Sequence, residues 1–275
     1  MSAYHRPTRL ADALVLLAEG QTRVLAGGTD LYPGAGSVLA GDVVDVTAVA
    51  EIGRITRDDA GLRIGAVVTW AAIAAADLPP ALAALQQAAL QIGGRQIQNA
   101  GTVGGNLCNG SPAADGVPPL LVLDAEVEIA GPCGLRRMPL SGFVTGPRRV
   151  ALEPGEVLVA VVVPNRTLAG RSVFEKLGAR RHLVISIAMV AARIVVSDGR
   201  VAEVALAVGS CSGTARRLPL VEAALHAAVI GTLGARVTPA DVAASLAPID
   251  DIRATAGYRL EAATALVRRA VETLG

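Results

Sequence analysis

Apolar residues at Leu10, Ala13, Leu14, Leu17 and Ala18 recur at intervals of three and four, the spacing of one helical face. They predict a helix over 9–19, with Thr8 as its N-cap and Gly20 as its stop. Short apolar runs at 23–26 and 43–46 read as strands, so residues 1–50 form a small β-α-β-like unit. Runs at 52–56 and 62–66 flank Asp58-Asp59-Ala60-Gly61, a hairpin signal. Thr69 is placed to cap a helix reaching Ala76, and Pro79-Pro80 opens another over 81–92 that Gly93-Gly94 closes. A helical stretch at 120–123 precedes strands 126–129 and 135–138, paired around Gly131-Pro132. Glu153-Pro154-Gly155 then turns the chain into strand 157–163, which Pro164 ends.

Polar, Gly and Pro residues cluster at 165–171 and mark a boundary. Beyond it, 172–177, 183–196 and 201–209 read as three strands, the last two joined by Ser197-Asp198-Gly199-Arg200. Helices follow at 218–228, 239–245 and 252–274. The fold class is α+β, in three parts: 1–50, 51–166 and 167–275.

Composition narrows the function classes. Apolar residues make up 52% but aromatics only 2%, so the core is built from alanine, valine and leucine. With 25 Lys+Arg against 24 Asp+Glu and no basic stripe, nucleic acid is not an expected partner. The longest apolar runs fall short of the ~20 residues of a spanning helix, so no integral membrane association is expected. Cys108, Cys133 and Cys211 are dispersed and contain no CxxC, which fits neither a disulfide framework nor a metal or iron–sulfur site. The expectation is a cytoplasmic protein without a metal of its own.

Two glycine segments carry the candidate chemistry. Ala26-Gly27-Gly28-Thr29-Asp30-Leu31 follows an apolar strand, and Gly101-Thr102-Val103-Gly104-Gly105-Asn106-Leu107 leads to Ser111-Pro112-Ala113-Ala114-Asp115. Read as loops, both offer main-chain N–H groups and hydroxyl donors to diphosphate oxygens from two sides of one ligand. An ionised Asp115 accepts hydrogen bonds only, which suits sugar hydroxyls. The plainer readings are tight turns for the glycine pairs and a helix cap, before Val117, for Asp115. No GxGxxG follows a strand, and neither GxxxxGK[ST] nor GxSxG occurs. His5, His182 and His226 lie far apart and form no triad or ligand pattern. Any catalysis must therefore reside in a cofactor.

Together these motifs closely resemble the FAD-binding medium subunit of the molybdenum hydroxylases. That family includes the flavoprotein parts of xanthine dehydrogenase, aldehyde oxidase and aerobic carbon monoxide dehydrogenase. The resemblance extends to Gly155-Glu156-Val157-Leu158, to Phe174-Glu175-Lys176 with Arg180-Arg181, and to Asp251-Ile252-Arg253-Ala254-Thr255 with Tyr258-Arg259. It implies a two-part FAD-binding domain of the vanillyl-alcohol-oxidase/PCMH type, then a C-terminal domain with a three-stranded antiparallel sheet and helices. The FAD would be held non-covalently, with Leu25, Ala26, Gly27, Gly28, Thr29, Asp30 and Leu31 on one side of its diphosphate. Thr102, Val103, Gly104, Gly105 and Asn106 would lie on the other side. Ile92 would line the adenine pocket, Asp115 would bind FAD hydroxyls, Leu158 would lie near the flavin ring and Lys176 would be a further contact. For Leu158 the alternative is an ordinary strand core residue, and for Lys176 a solvated charge.

Two positions depart from the family pattern: Gln98, where a basic residue is frequent, and Leu183-Val184-Ile185-Ser186, in place of an acidic start to that strand. The resemblance further implies an oxidoreductase subunit that passes electrons to NAD, oxygen or another carrier. Molybdopterin would sit in a large partner subunit and 2Fe-2S clusters in a small one, the whole a dimer of heterotrimers. The alternatives are a self-contained FAD-dependent oxidase and a nucleotide-binding module without a redox role. A bulky residue at Gly104 or Gly105 is expected to abolish FAD retention while sparing the fold.

Overall fold

The computed structural model describes residues 3–20, 22–36, 41–180 and 183–275, so Arg181 and His182 lie outside the described residues. The chain opens with β1 (Tyr4–His5), α1 (Leu10–Ala18), β2 (Thr22–Leu25), the single turn α2 (Leu31–Gly34) and β3 (Asp42–Asp45). β1 and β2 flank β3 in a parallel sheet, the expected β-α-β-like unit with one added strand. Thr8 does not cap α1. Arg9 holds the cap position, and Glu51 Oε1, 41 positions away, accepts the Leu10 N–H at 3.1 Å.

Next come β4 (Ile55–Arg57), β5 (Gly61–Gly65), α3 (Trp70–Ala75), α4 (Ala83–Gln91), α5 (Arg95–Ala100), α6 (Val103–Asn109) and α7 (Val117–Leu121). Then follow β6 (Glu126–Gly131), β7 (Gly134–Pro139), α8 (Leu140–Phe143), β8 (Val144–Gly146), β9 (Arg149–Val150) and β10 (Val157–Pro164). Five strands form one antiparallel sheet in the order β4-β5-β10-β6-β7. A bulge between Leu158 and Ala160 shifts the alternation of β10. Val157 and Val159 consequently pack against Ala13 and Leu17 of α1, while Leu158 joins Val161 and Val163 under the helices on the opposite face.

The glycine segment expected as a loop is a helix, α6, and α5 precedes it. Pro79-Pro80 opens a 3-10 turn, Pro80–Leu82, rather than a continuous helix over 81–92. α7 starts at Val117, and its cap position is Gly116 with no side-chain bond, so Asp115 does not cap it.

The chain continues with β11 (Arg171–Leu177), β12 (Ala188–Ser197), β13 (Arg200–Gly209), β14 (Arg216–Arg217), α9 (Pro219–Leu225), α10 (Pro239–Ala243) and α11 (Ala256–Leu274). The sheet has four strands, not three, because Arg216–Arg217 pairs with Ala207 and Val208. β12 begins at Ala188. Leu183 sits at φ +51°, outside the extended region a strand requires. α11 begins four residues later than expected, because Asp251 folds back on Ala254 and Thr255 Oγ1 caps the helix through the Tyr258 N–H. α4 ties this unit to the first: Ser172 Oγ accepts the Ala84 N–H at 2.8 Å, and Gln87 Oε1 accepts the Phe174 N–H at 2.7 Å.

Candidate functional site

A cleft of about 600 Å³ opens between the parallel sheet and the helices above β10. One wall is the chain from Arg23 through Leu31, and the other is Gly101, Thr102, Gly104, Gly105 and Asn106. Ile92, Ile97 and Trp70 line it further, with Val157 and Leu158 of β10. Of the residues expected at the site, Leu25, Ala26, Gly27, Gly28, Thr29, Asp30, Leu31, Ile92, Thr102, Gly104, Gly105, Asn106 and Leu158 come together here. Val103 points into the core instead, wholly buried. Asp115 and Lys176 are not among the cleft's lining.

The two walls differ in what they offer. In α6 the early N–H groups already have partners: Val103 N–H donates to Val68 O at 3.0 Å, and Gly104 N–H to Ala66 O at 2.9 Å. Gly105 N–H donates to the capping Thr102 Oγ1 at 3.0 Å. The expected ring of free amides on this wall is therefore absent, because a helix cap and the neighbouring chain satisfy it. On the first wall, the N–H groups of Gly27, Gly28, Thr29 and Asp30 have no acceptor among the described residues. Asn106 also lines the cleft, and its Oδ1 is buried without a partner beside Gly116 rather than open to the cleft. Donors left open along a cleft wall are chemically fitted to the oxygens of a polar ligand.

The glycines serve close approach as much as donation. A Cβ on Gly27 would strike Ala100 O of the opposite wall, and one on Gly104 would stand 2.7 Å from Ala66 O. Gly105 faces the cleft, where an added Cβ would meet Thr102 Oγ1 at 2.9 Å and Ala26 at 4.0 Å. Gly104 thus holds α6 against the chain after β5, while Gly105 leaves room for a ligand. The expectation that both act alike is corrected: a side chain at Gly104 damages packing first.

Lys176 is buried, not solvated, and its Nζ lies 2.6 Å from Asp115 Oδ2. Asp115 Oδ1 accepts from Ser186 Oγ at 2.6 Å. Burial pushes the Asp115 carboxyl above its ordinary range, with Lys176 and Ser186 opposing the shift.

Sequence reasoning missed Trp70, Arg23, Asn109 and Arg148, which also line the cleft, as does Glu156 of the quoted Gly155–Leu158 segment. Trp70 alone carried a signal, as the chain's single tryptophan. Glu156 is neutralised by a two-pronged contact with Arg136, both prongs 2.6 Å, and this bond holds its carboxyl below the usual range. Burial pushes the Cys108 thiol up to about 12, so it is not a thiolate at neutral pH.

Unpaired amides on one wall and apolar side chains along the floor make a cleft suited to a polar cofactor, in a two-domain protein of mixed α and β structure. The family described as FAD binding domain in molybdopterin dehydrogenase matches residues 1–166, and CO dehydrogenase flavoprotein C-terminal domain matches 173–274. The chain belongs to this family of FAD-binding subunits of molybdopterin-dependent oxidoreductases. It is 34% identical to the xanthine dehydrogenase FAD-binding subunit of Escherichia coli over 277 residues, covering 98% of this chain and 94% of that one. It is 32% identical to the carbon monoxide dehydrogenase medium chain of Afipia carboxidovorans over 282 residues, covering 98% and 95%. A reconstituted CO dehydrogenase from Oligotropha carboxidovorans contains a chain that superposes with TM-score 0.90 at 30% identity, covering 100% of this chain and 97% of that one. Among the described residues no helix is long and apolar enough to cross a membrane.

Proposed function

We propose that this chain is the FAD-carrying electron-transfer subunit of a cytoplasmic molybdopterin-dependent hydroxylase or dehydrogenase. The observation that carries the reading is the run of unpaired N–H groups at Gly27–Asp30 along one wall of the cleft. When bound, FAD supplies the redox chemistry, taking electrons singly from clusters and releasing them in pairs. Gly27 to Asp30 would donate to the diphosphate, and Asn106 would stand on the facing wall. Ile92 would bound the adenine end and Leu158 the flavin end, both presenting apolar surface that excludes water. Asp115 and Lys176, outside the cleft's lining and each fixed by the other, would support the site rather than touch the cofactor. No acid or base of this chain is required.

The proposal extends to the arrangement. Residues 1–50 and 51–166 would be the two parts of a vanillyl-alcohol-oxidase/PCMH-type FAD domain, and 167–275 a C-terminal domain. The partners would be a large molybdopterin-binding subunit and a small 2Fe-2S subunit in a dimer of heterotrimers.

Copurification with those partners, followed by addition of the large subunit's substrate, tests the reading. Bleaching of a non-covalently bound flavin only when both partners are present supports it. Flavin reduced by an organic substrate in the isolated chain would instead favour a self-contained oxidase. Flavin that no partner reduces would favour a nucleotide-binding module.

A further inference from the structure

We propose that Arg148, outside both glycine segments, supplies a full positive charge to the cofactor's diphosphate at the mouth of the cleft. The inference rests on the FAD reading and adds to it one side chain with its mode of action.

Arg148 stands at the tip of the β8–β9 hairpin, with its backbone in the left-handed region at φ +58°. Its N–H donates to Gly110 O at 2.7 Å, and Gly110 is the left-handed cap that ends α6. The hairpin tip is thereby locked to the end of the helix whose start forms one wall of the cleft. The guanidinium donates to the Asn109 carboxamide and, at 3.4 Å, to Asn109 O. From there it reaches across the mouth to the opposite wall, 3.9 Å from Asp30 Oδ1. The Asp30 N–H is itself one of the unpaired donors.

Charge bookkeeping supports the assignment. The charged cleft-lining residues are Arg23, Asp30, Arg148 and Glu156. Arg136 cancels Glu156, Arg23 lies back on β2 ahead of the glycine turn, and Asp30 stands beside the unpaired amides and would repel a diphosphate. Main-chain N–H groups carry only partial charges, and α6 contributes none that are free. A guanidinium brings a permanent charge and a planar fork of donors matched to phosphate oxygens. The Asp30–Arg148 pair is held weakly: both side chains are about 60% exposed, so water screens the attraction. An incoming phosphate can take the guanidinium from Asp30 while Asn109 keeps it at the mouth.

The strained backbone of Arg148 makes the test discriminating. Arg148→Gly removes the guanidinium and also relieves the left-handed conformation, so a purely structural arginine would leave cofactor binding untouched. The full chain and R148G are stripped of flavin and titrated with FAD and with riboflavin, which lacks the diphosphate, at several salt concentrations. The expected result is a melting temperature for R148G at or above the parent's, with the FAD Kd raised about tenfold or more. Its log Kd against log salt should be flatter, riboflavin affinity should be unchanged, and Arg148→Lys should restore part of the loss. FAD affinity and salt slope equal to the parent's, or an equal loss for riboflavin, would overturn the assignment while leaving the FAD reading intact. A parent chain that binds no FAD would overturn that reading and this inference with it.

Discussion

Lys176 Nζ lies 2.6 Å from Asp115 Oδ2, and the two side chains retain only 5% and 8% of their exposure. The pair joins β11 of the second unit to the segment between α6 and α7 of the first. Lys176 also donates to Gln91 O at 3.2 Å, so three segments meet at one ammonium. Truncating one member of a buried pair strands the other charge, at a cost of about 3–5 kcal/mol. Asp115→Ala should therefore lower the melting temperature by roughly 6–15 °C. Asp115→Leu combined with Lys176→Met should recover most of that loss, read as unfolding midpoints of the three variants against the parent.

Acid should weaken the second unit through Asp251. Arg253 and Arg259 both donate to its carboxylate, at 2.6 and 2.7 Å, and hold it well below the usual carboxylate range. A depressed folded-state value means the unfolded chain binds more protons near its ordinary value of about 3.9. The stabilisation is complete above that value and is lost as pH falls below it. Asp251→Asn should therefore lower stability at neutral pH and flatten the acid limb. Denaturation midpoints of parent and variant should draw together progressively as pH falls below the ordinary carboxylate range.

Gly104 and Gly105 should respond differently to alanine. At Gly104 the new methyl carbon would stand 2.7 Å from both Ala66 O and Ala66 Cβ, forcing α6 away from the chain after β5. Overpacking of this kind costs about 1–3 kcal/mol. At Gly105 the methyl projects toward the cleft and Thr102 Oγ1, and alanine also favours a helix by about 1 kcal/mol over glycine. G104A should lose stability with or without flavin, while G105A should keep its apo melting temperature and lose flavin affinity.

The elements whose pattern is local were legible in the sequence. β10 showed as an apolar run closed by Pro164, and α1 showed as a three-and-four stripe. α6 was not legible as a helix. Gly104 and Gly105 disfavour one intrinsically, which masked the local Thr102 cap and Gly110 stop, and tertiary bonds to Val68 and Ala66 stabilise it. The same oversight hid the asymmetry of the cleft, since a capped helix has no free early amides. The Thr8 cap failed because Glu51, distant in sequence, took the role. Arg148 gave no signal, because only the hairpin brings it to the cleft mouth.

Trp70 provides the most direct test of the central claim, that FAD occupies this cleft. It is the chain's single tryptophan, 1% exposed, and its indole lines the cleft beside Gly101 and Gly116. The stripped full chain is titrated with FAD while tryptophan emission and melting temperature are followed. Emission should fall almost completely and saturate at one FAD per chain. The melting temperature should rise by roughly 5–10 °C at a hundredfold excess over Kd. Trp70 emission that persists in a chain carrying one flavin, or a chain that binds none, would contradict it.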